Sequence, residues 1–100
     1  MIIVNAIIES DENSIAAMRE GITTMVTATL EEPGCDDYCF SVELDDPTRI
    51  RITERWHSIE ALAAHFQTPH MAAFQQVMAA NPPKNVTAHC YDAEEIDLPR

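Results

Sequence analysis

Residues Glu54 to Phe74 read Glu-Arg-Trp-His-Ser-Ile-Glu-Ala-Leu-Ala-Ala-His-Phe-Gln-Thr-Pro-His-Met-Ala-Ala-Phe and hold the only Trp and three of the four His in the chain. The stretch opens on the end of a strand. Ile50, Ile52, Glu54 and Trp56 alternate with Arg49, Arg51, Thr53 and Arg55, the period of two that marks a sheet with one buried face, and it sets an acid in an apolar row. Ser58 follows as an N-cap, with Glu60 in the first turn of a helix where Ile59, Leu62 and Phe66 share a face. Pro69 disfavours α geometry at Thr68 and removes a donor, so that helix ends near Gln67. Thr68 then caps a second helix with Pro69 at its first position, and Met71, Phe74 and Met78 recur along it at helical spacing. The unit is strand, helix, break, helix.

Upstream, Ile2 to Ile8 is apolar in both parities, as in a strand buried on both faces and central in its sheet. Asn5 is the polar exception and needs partners, from neighbouring backbone or a pocket. Ser10 to Asn13 offers caps for a helix with an apolar face of Ile15, Met18, Ile22, Met25, Val26 and Leu30, which Gly21 weakens and Pro33-Gly34 ends. Cys35 to Leu44 is a second strand, Asp45-Asp46-Pro47-Thr48 a turn by residue type, and the strand carrying Glu54 completes a hairpin. Downstream, Asn81-Pro82-Pro83-Lys84 breaks the chain, Asn85 to Tyr91 is a last strand, and residues 92–100 form an acidic tail. The order β-α-β-β-α-β is the ferredoxin-like α+β plan in one domain, 1–100, with its core over about 2–91. Helices on one side leave the other sheet face bare, and the doubly apolar first strand calls for a second copy there, giving a homodimer with a dimeric α+β barrel.

Seventeen acidic against six basic residues give a net charge of −11, which opposes nucleic acid and anionic lipid as partners. The N-terminus lacks the pattern of a secretory signal, and no segment is long and apolar enough to span a membrane. Cys35 and Cys39 stand about 13 Å apart if on one strand, too far to bridge. With an odd count of three, the cysteines read as reduced thiols of a cytoplasmic protein.

With only two glycines, the chain can build no P-loop, dinucleotide fingerprint or nucleophile elbow. His65 and His70 are five residues apart across a proline break, without the spacing that sets two imidazoles on one helical face, so a metal site is not expected. Acid–base chemistry in an apolar pocket remains. Burial holds His65 neutral and able to accept a proton, the helix dipole does the same for His70, and either can serve as base. Glu54 can orient one of them or pair with an Arg, and Trp56 is core or a wall for a planar ligand.

The run E-R-W-x-S-x-E-A-L-x-x-H-F-x-T-P-H-M, preceded by E-E-P-G-C-x-x-Y at Glu31 to Tyr38, resembles the antibiotic biosynthesis monooxygenase family, most of all its small bacterial quinol monooxygenases. The resemblance implies a dimeric α+β barrel and oxidation of a small aromatic substrate by O2 without metal or organic cofactor. It also implies His65 or His70 as base, Trp56, Phe66, Phe74 and Tyr38 lining the cavity, and Asn5 or Glu54 holding oxygen atoms. Haem-degrading relatives place a Trp where this chain has His65 and an axial His near Gln75, which disfavours haem here. An isomerase of the same superfamily shares the H-x-x-T-P-H run, so isomerisation of a small oxygenated metabolite, or ligand binding without turnover, are the alternatives.

Overall fold

The computed structural model describes residues Met1–Arg100. The elements run β1 (Ile2–Glu9), α1 (Glu12–Leu30), β2 (Cys35–Glu43), β3 (Asp46–Trp56), α2 (Ile59–His65), α3 (Pro69–Ala80) and β4 (Asn85–Asp92). The strands form one antiparallel sheet in the order β2-β3-β1-β4. This is the ferredoxin-like α+β plan expected from the sequence, with the second helical segment split by its proline.

The strand period sorts side chains by face. Ile2, Val4, Ala6 and Ile8 of β1 and Ile50, Ile52, Glu54 and Trp56 of β3 are buried on the helix side. Met18 and Met25 of α1, Leu62 of α2, and Met71 and Phe74 of α3 close over them. Ile3 and Ile7 lie on the other face, partly exposed, opposite Arg55 and Arg51 of β3; Arg49 and Arg51 both pair with Glu43, and Arg49 also with Glu9. The central place of β1 follows its reading as an apolar strand. Every residue of β4 is exposed, so β4 is held through its backbone ladder with β1.

Three local readings are corrected. The hairpin turn is not Asp45 to Thr48: β3 already starts at Asp46, paired with Glu43, and Leu44-Asp45 is the whole connection. Asp46 Oδ1 accepts from the Thr48 backbone N–H and hydroxyl at 3.0 and 2.6 Å, and the pairing shifts register beside Glu43. Pro47 is tolerated because it sits at the start of the strand, by that irregularity. In α1, Leu30 is exposed and Thr29 is fully buried, its hydroxyl donating to the Met25 carbonyl at 2.8 Å. In α2 the buried stripe is Leu62 and His65, while Ile59 and Phe66 face out. Gly21 also has a packing reason: a Cβ there would lie 2.8 Å from Val77 Cγ2, so it lets α3 approach α1.

Candidate active site

Two helix ends and one loop converge above the Trp56 end of β3. Ser58 caps α2, its hydroxyl accepting from the Ala61 N–H at 3.1 Å. Thr68 pins the break from both sides, donating to the His65 carbonyl at 2.7 Å and accepting from the Met71 N–H at 3.3 Å, with Pro69 opening α3. His65 is thereby fixed as the last residue of α2 and His70 as the second of α3, their rings 5.9 Å apart. The loop after α1 supplies Glu32. It docks where a Gly34 Cβ would lie 2.3 Å from Ala61 Cβ and where Gly34 O accepts the His57 N–H at 2.9 Å. No side chain other than hydrogen fits there.

Glu32 is the hub. Its Oε2 lies 2.7 Å from His65 Nδ1 and 2.8 Å from His70 Nε2. A carboxylate only accepts, so both of these nitrogens carry protons and donate to it. His65 is left with a lone pair at Nε2, which accepts from the Tyr38 hydroxyl at 3.3 Å. His70 is left with a lone pair at Nδ1. His65 is sealed in at 1% exposure, with Trp56 and Tyr38 centroids 4.8 and 5.2 Å from its ring. Burial, reinforced by the Glu54 charge, drives the Tyr38 phenol well above its ordinary value and keeps it a donor.

His70 is partly exposed and lines a groove of about 380 Å³ between α1 and α3, with Met25, Phe74 and Val77 as apolar wall and Glu20 and Thr24 at its side. A larger cavity of about 510 Å³ lies between α1 and the β2–β3 hairpin, over Phe40 and Ile50, away from both imidazoles. Phe40 and Phe74 meet edge to face at 5.6 Å between the two spaces.

A sequence model of the family described as "Antibiotic biosynthesis monooxygenase" matches residues 1–77. The chain belongs to the antibiotic biosynthesis monooxygenase family. Among curated proteins, it is 33% identical over 70 residues to "Probable quinol monooxygenase YgiN" of Escherichia coli K12, covering 62% of this chain and 67% of that one. Its fold matches a putative antibiotic biosynthesis monooxygenase from Deinococcus radiodurans with a TM-score of 0.89 at 23% identity, over 98% and 97% of the two chains. It also matches Rv0793 from Mycobacterium tuberculosis, with a TM-score of 0.84 at 22% identity over 95% and 96%.

Within this monooxygenase family fold, His65, His70, Tyr38 and Trp56 come together as one cluster. Glu54 is next to it but orients neither imidazole: its Oε1 accepts the Trp56 indole N–H at 3.0 Å, and burial raises its carboxyl above the ordinary range. Phe74 lines the groove by His70. Phe66 is 56% exposed, its ring 5.5 Å from that of His65 on the outer side. Asn5 lies outside this cluster: strand alternation puts it on the helix-free face, opposite Thr53 and His89. Residue type and periodicity alone assign Glu32 no role. Its one signal was its place in E-E-P-G-C, where a proline–glycine stop holds an acid at the mouth of a strand.

Proposed function

We propose that the chain is a cofactor-independent monooxygenase of quinols or related electron-rich phenols, with His70 as the base. The observation that carries this reading is the hydrogen bond from His70 Nε2 to Glu32, which leaves the Nδ1 lone pair on a partly exposed ring beside the α1–α3 groove. About 380 Å³ suits a small planar ring system. The substrate class draws support from the name of the Escherichia coli relative.

The substrate phenol gives its proton to His70 Nδ1, and the imidazolium formed is stabilised by the Glu32 carboxylate it already donates to. The phenolate is electron-rich enough to reduce O2 by one electron, and the two radicals combine to a peroxide at a ring carbon. Loss of water from the peroxide leaves the quinone carbonyl. One oxygen atom stays on the carbon and the other departs as water with the two hydrogens the substrate loses, so the substrate supplies all four electrons. The chain's contribution is deprotonation, positioning against Phe74 and Met25, and a locally apolar wall.

His65, held between Glu32 and Tyr38, keeps the hub carboxylate in place, and Glu54 fixes the indole of Trp56 behind it. The bare sheet face, with Ile3 and Ile7 part-buried in one chain, is the surface on which two copies form the dimeric barrel. The three free thiols suit a reducing compartment such as the cytoplasm.

Oxygen uptake by chelator-treated protein, given freshly reduced quinols and anthrols and corrected for autoxidation, tests the reading. We expect a protein-dependent rate that falls about 100-fold or more in His70→Ala, the scale of a general base, with circular dichroism unchanged. Proton exchange without oxygen uptake would point instead to isomerisation, and an unaltered rate in His70→Ala would remove it as base.

A further inference from the structure

We infer that Glu32, His65 and His70 form a binding site for one divalent transition-metal ion of the zinc or cobalt class, through Glu32 Oε2, His65 Nδ1 and His70 Nε2. Spacing along the sequence argues against a metal because the two imidazoles sit on different helices. The fold reverses that by bringing a third donor from the loop after α1 between them. The three ligand atoms lie within 4.8 Å of one another, on one nearly sealed side chain and two largely buried ones.

Two imidazole nitrogens and one carboxylate oxygen are the donor set that borderline cations prefer, with bonds of about 2.0–2.2 Å. Donors around a four-coordinate ion with such bonds stand about 3.3–3.5 Å apart, so the two imidazole nitrogens, within 4.8 Å of each other, draw together by at most about 1.5 Å. The carboxylate–imidazole separations, 2.7 and 2.8 Å, are hydrogen-bond lengths and open by roughly 0.6 Å when an ion replaces the shared protons. The surroundings can orient a metal-binding histidine: with Nδ1 on the ion the proton of His65 sits on Nε2 and is donated to the Tyr38 hydroxyl oxygen, 3.3 Å away, reversing the metal-free hydrogen bond and fixing the ring. Thr68 and the Gly34–Ala61 contact hold the three supporting segments. The groove beside His70 gives entry and room for further ligands, and the net charge of −11 concentrates cations around the molecule.

The ion takes the place of the two N–H protons now donated to Glu32. With Nε2 of His70 on the metal, the neutral ring carries its proton on Nδ1 and no longer accepts one from a phenol. The metal-loaded chain is then inactive as an oxygenase. That last consequence rests on the proposed function; the binding does not.

Calorimetric titration of chelator-treated protein with Zn2+, paired with visible absorption on adding Co2+, decides the matter. We expect one ion per chain and a Co2+ d–d band, with affinity weakened roughly 100-fold or more in Glu32→Gln and in His70→Gln and roughly 10-fold in Tyr38→Phe. His57→Gln, which alters only the exposed pair with Asp36, should bind as the parent does. No saturable binding, or binding unchanged in both Glu32→Gln and His70→Gln, would overturn the site. If either variant fails to fold by circular dichroism, the other still decides. Binding without oxygen uptake in the metal-free protein would leave the metal site standing and remove the oxygenase reading.

Discussion

Glu54 is a carboxyl at 7% exposure with no cation against it, satisfied through one indole N–H. Burial raises its pKa above the ordinary 4.5, so the folded chain holds this proton more tightly than the unfolded one. The contribution of Glu54 to stability is therefore complete below about pH 4.5 and declines as pH rises through the folded-state value. Glu54→Gln keeps an oxygen for Trp56 and removes the charge. Its melting temperature should exceed that of the parent at pH 7.5 and match it at pH 4, and an equal offset at both would show that ionisation is not the cause. At this scale the sequence was legible in part. His65, Trp56 and Tyr38 stood out by type, but Glu32 is one of seventeen acids, and nothing local shows that it reaches residues 33 and 38 positions away. Apolar spacing turned Phe66 inward, whereas tertiary hydrogen bonds reward burying the imidazole of His65 instead.

The loop between α1 and β2 and the start of α2 act as one piece because Gly34 leaves no room above Ala61. Gly34→Ala should lower stability by about 1–3 kcal/mol through overpacking and lower oxygen uptake further than the lost stability explains, because Glu32 moves with the loop. Urea denaturation and turnover of the folded fraction separate these effects. Adding Ala61→Gly reopens the space and should restore turnover despite a helix cost of about 1 kcal/mol; a double variant no better than the single would refute the contact. Element types were readable wherever a breaker had a single use, as at Pro69 and Pro33-Gly34. The β2–β3 turn was not, because Asp, Pro and Thr also serve the irregular opening of a strand, and only pairing with β2 distinguishes the two.

The whole molecule has helices on one side of its sheet and none on the other. The open face mixes Ile3 and Ile7 with paired arginines, and β4 lacks any covering layer. Light scattering at micromolar concentration should return twice the chain mass of 11.2 kDa. Ile7→Glu should return the single mass with its circular dichroism retained, and a parent mass of 11.2 kDa would end the dimer proposal. The β-α-β-β-α-β order was legible because the connections are short and proline, glycine or polar residues separate the segments. The sequence could not show which cavity lies beside an imidazole, since that depends on how α3 crosses α1 at Gly21. The hub at Glu32 has one more consequence. Its two partners lie 33 and 38 residues away, so the site forms only after long chain closures, whose entropy is recovered late in assembly. A compact intermediate with every helix formed would still have no site, so activity in this chain is a direct gauge of completed folding, independent of its helical content.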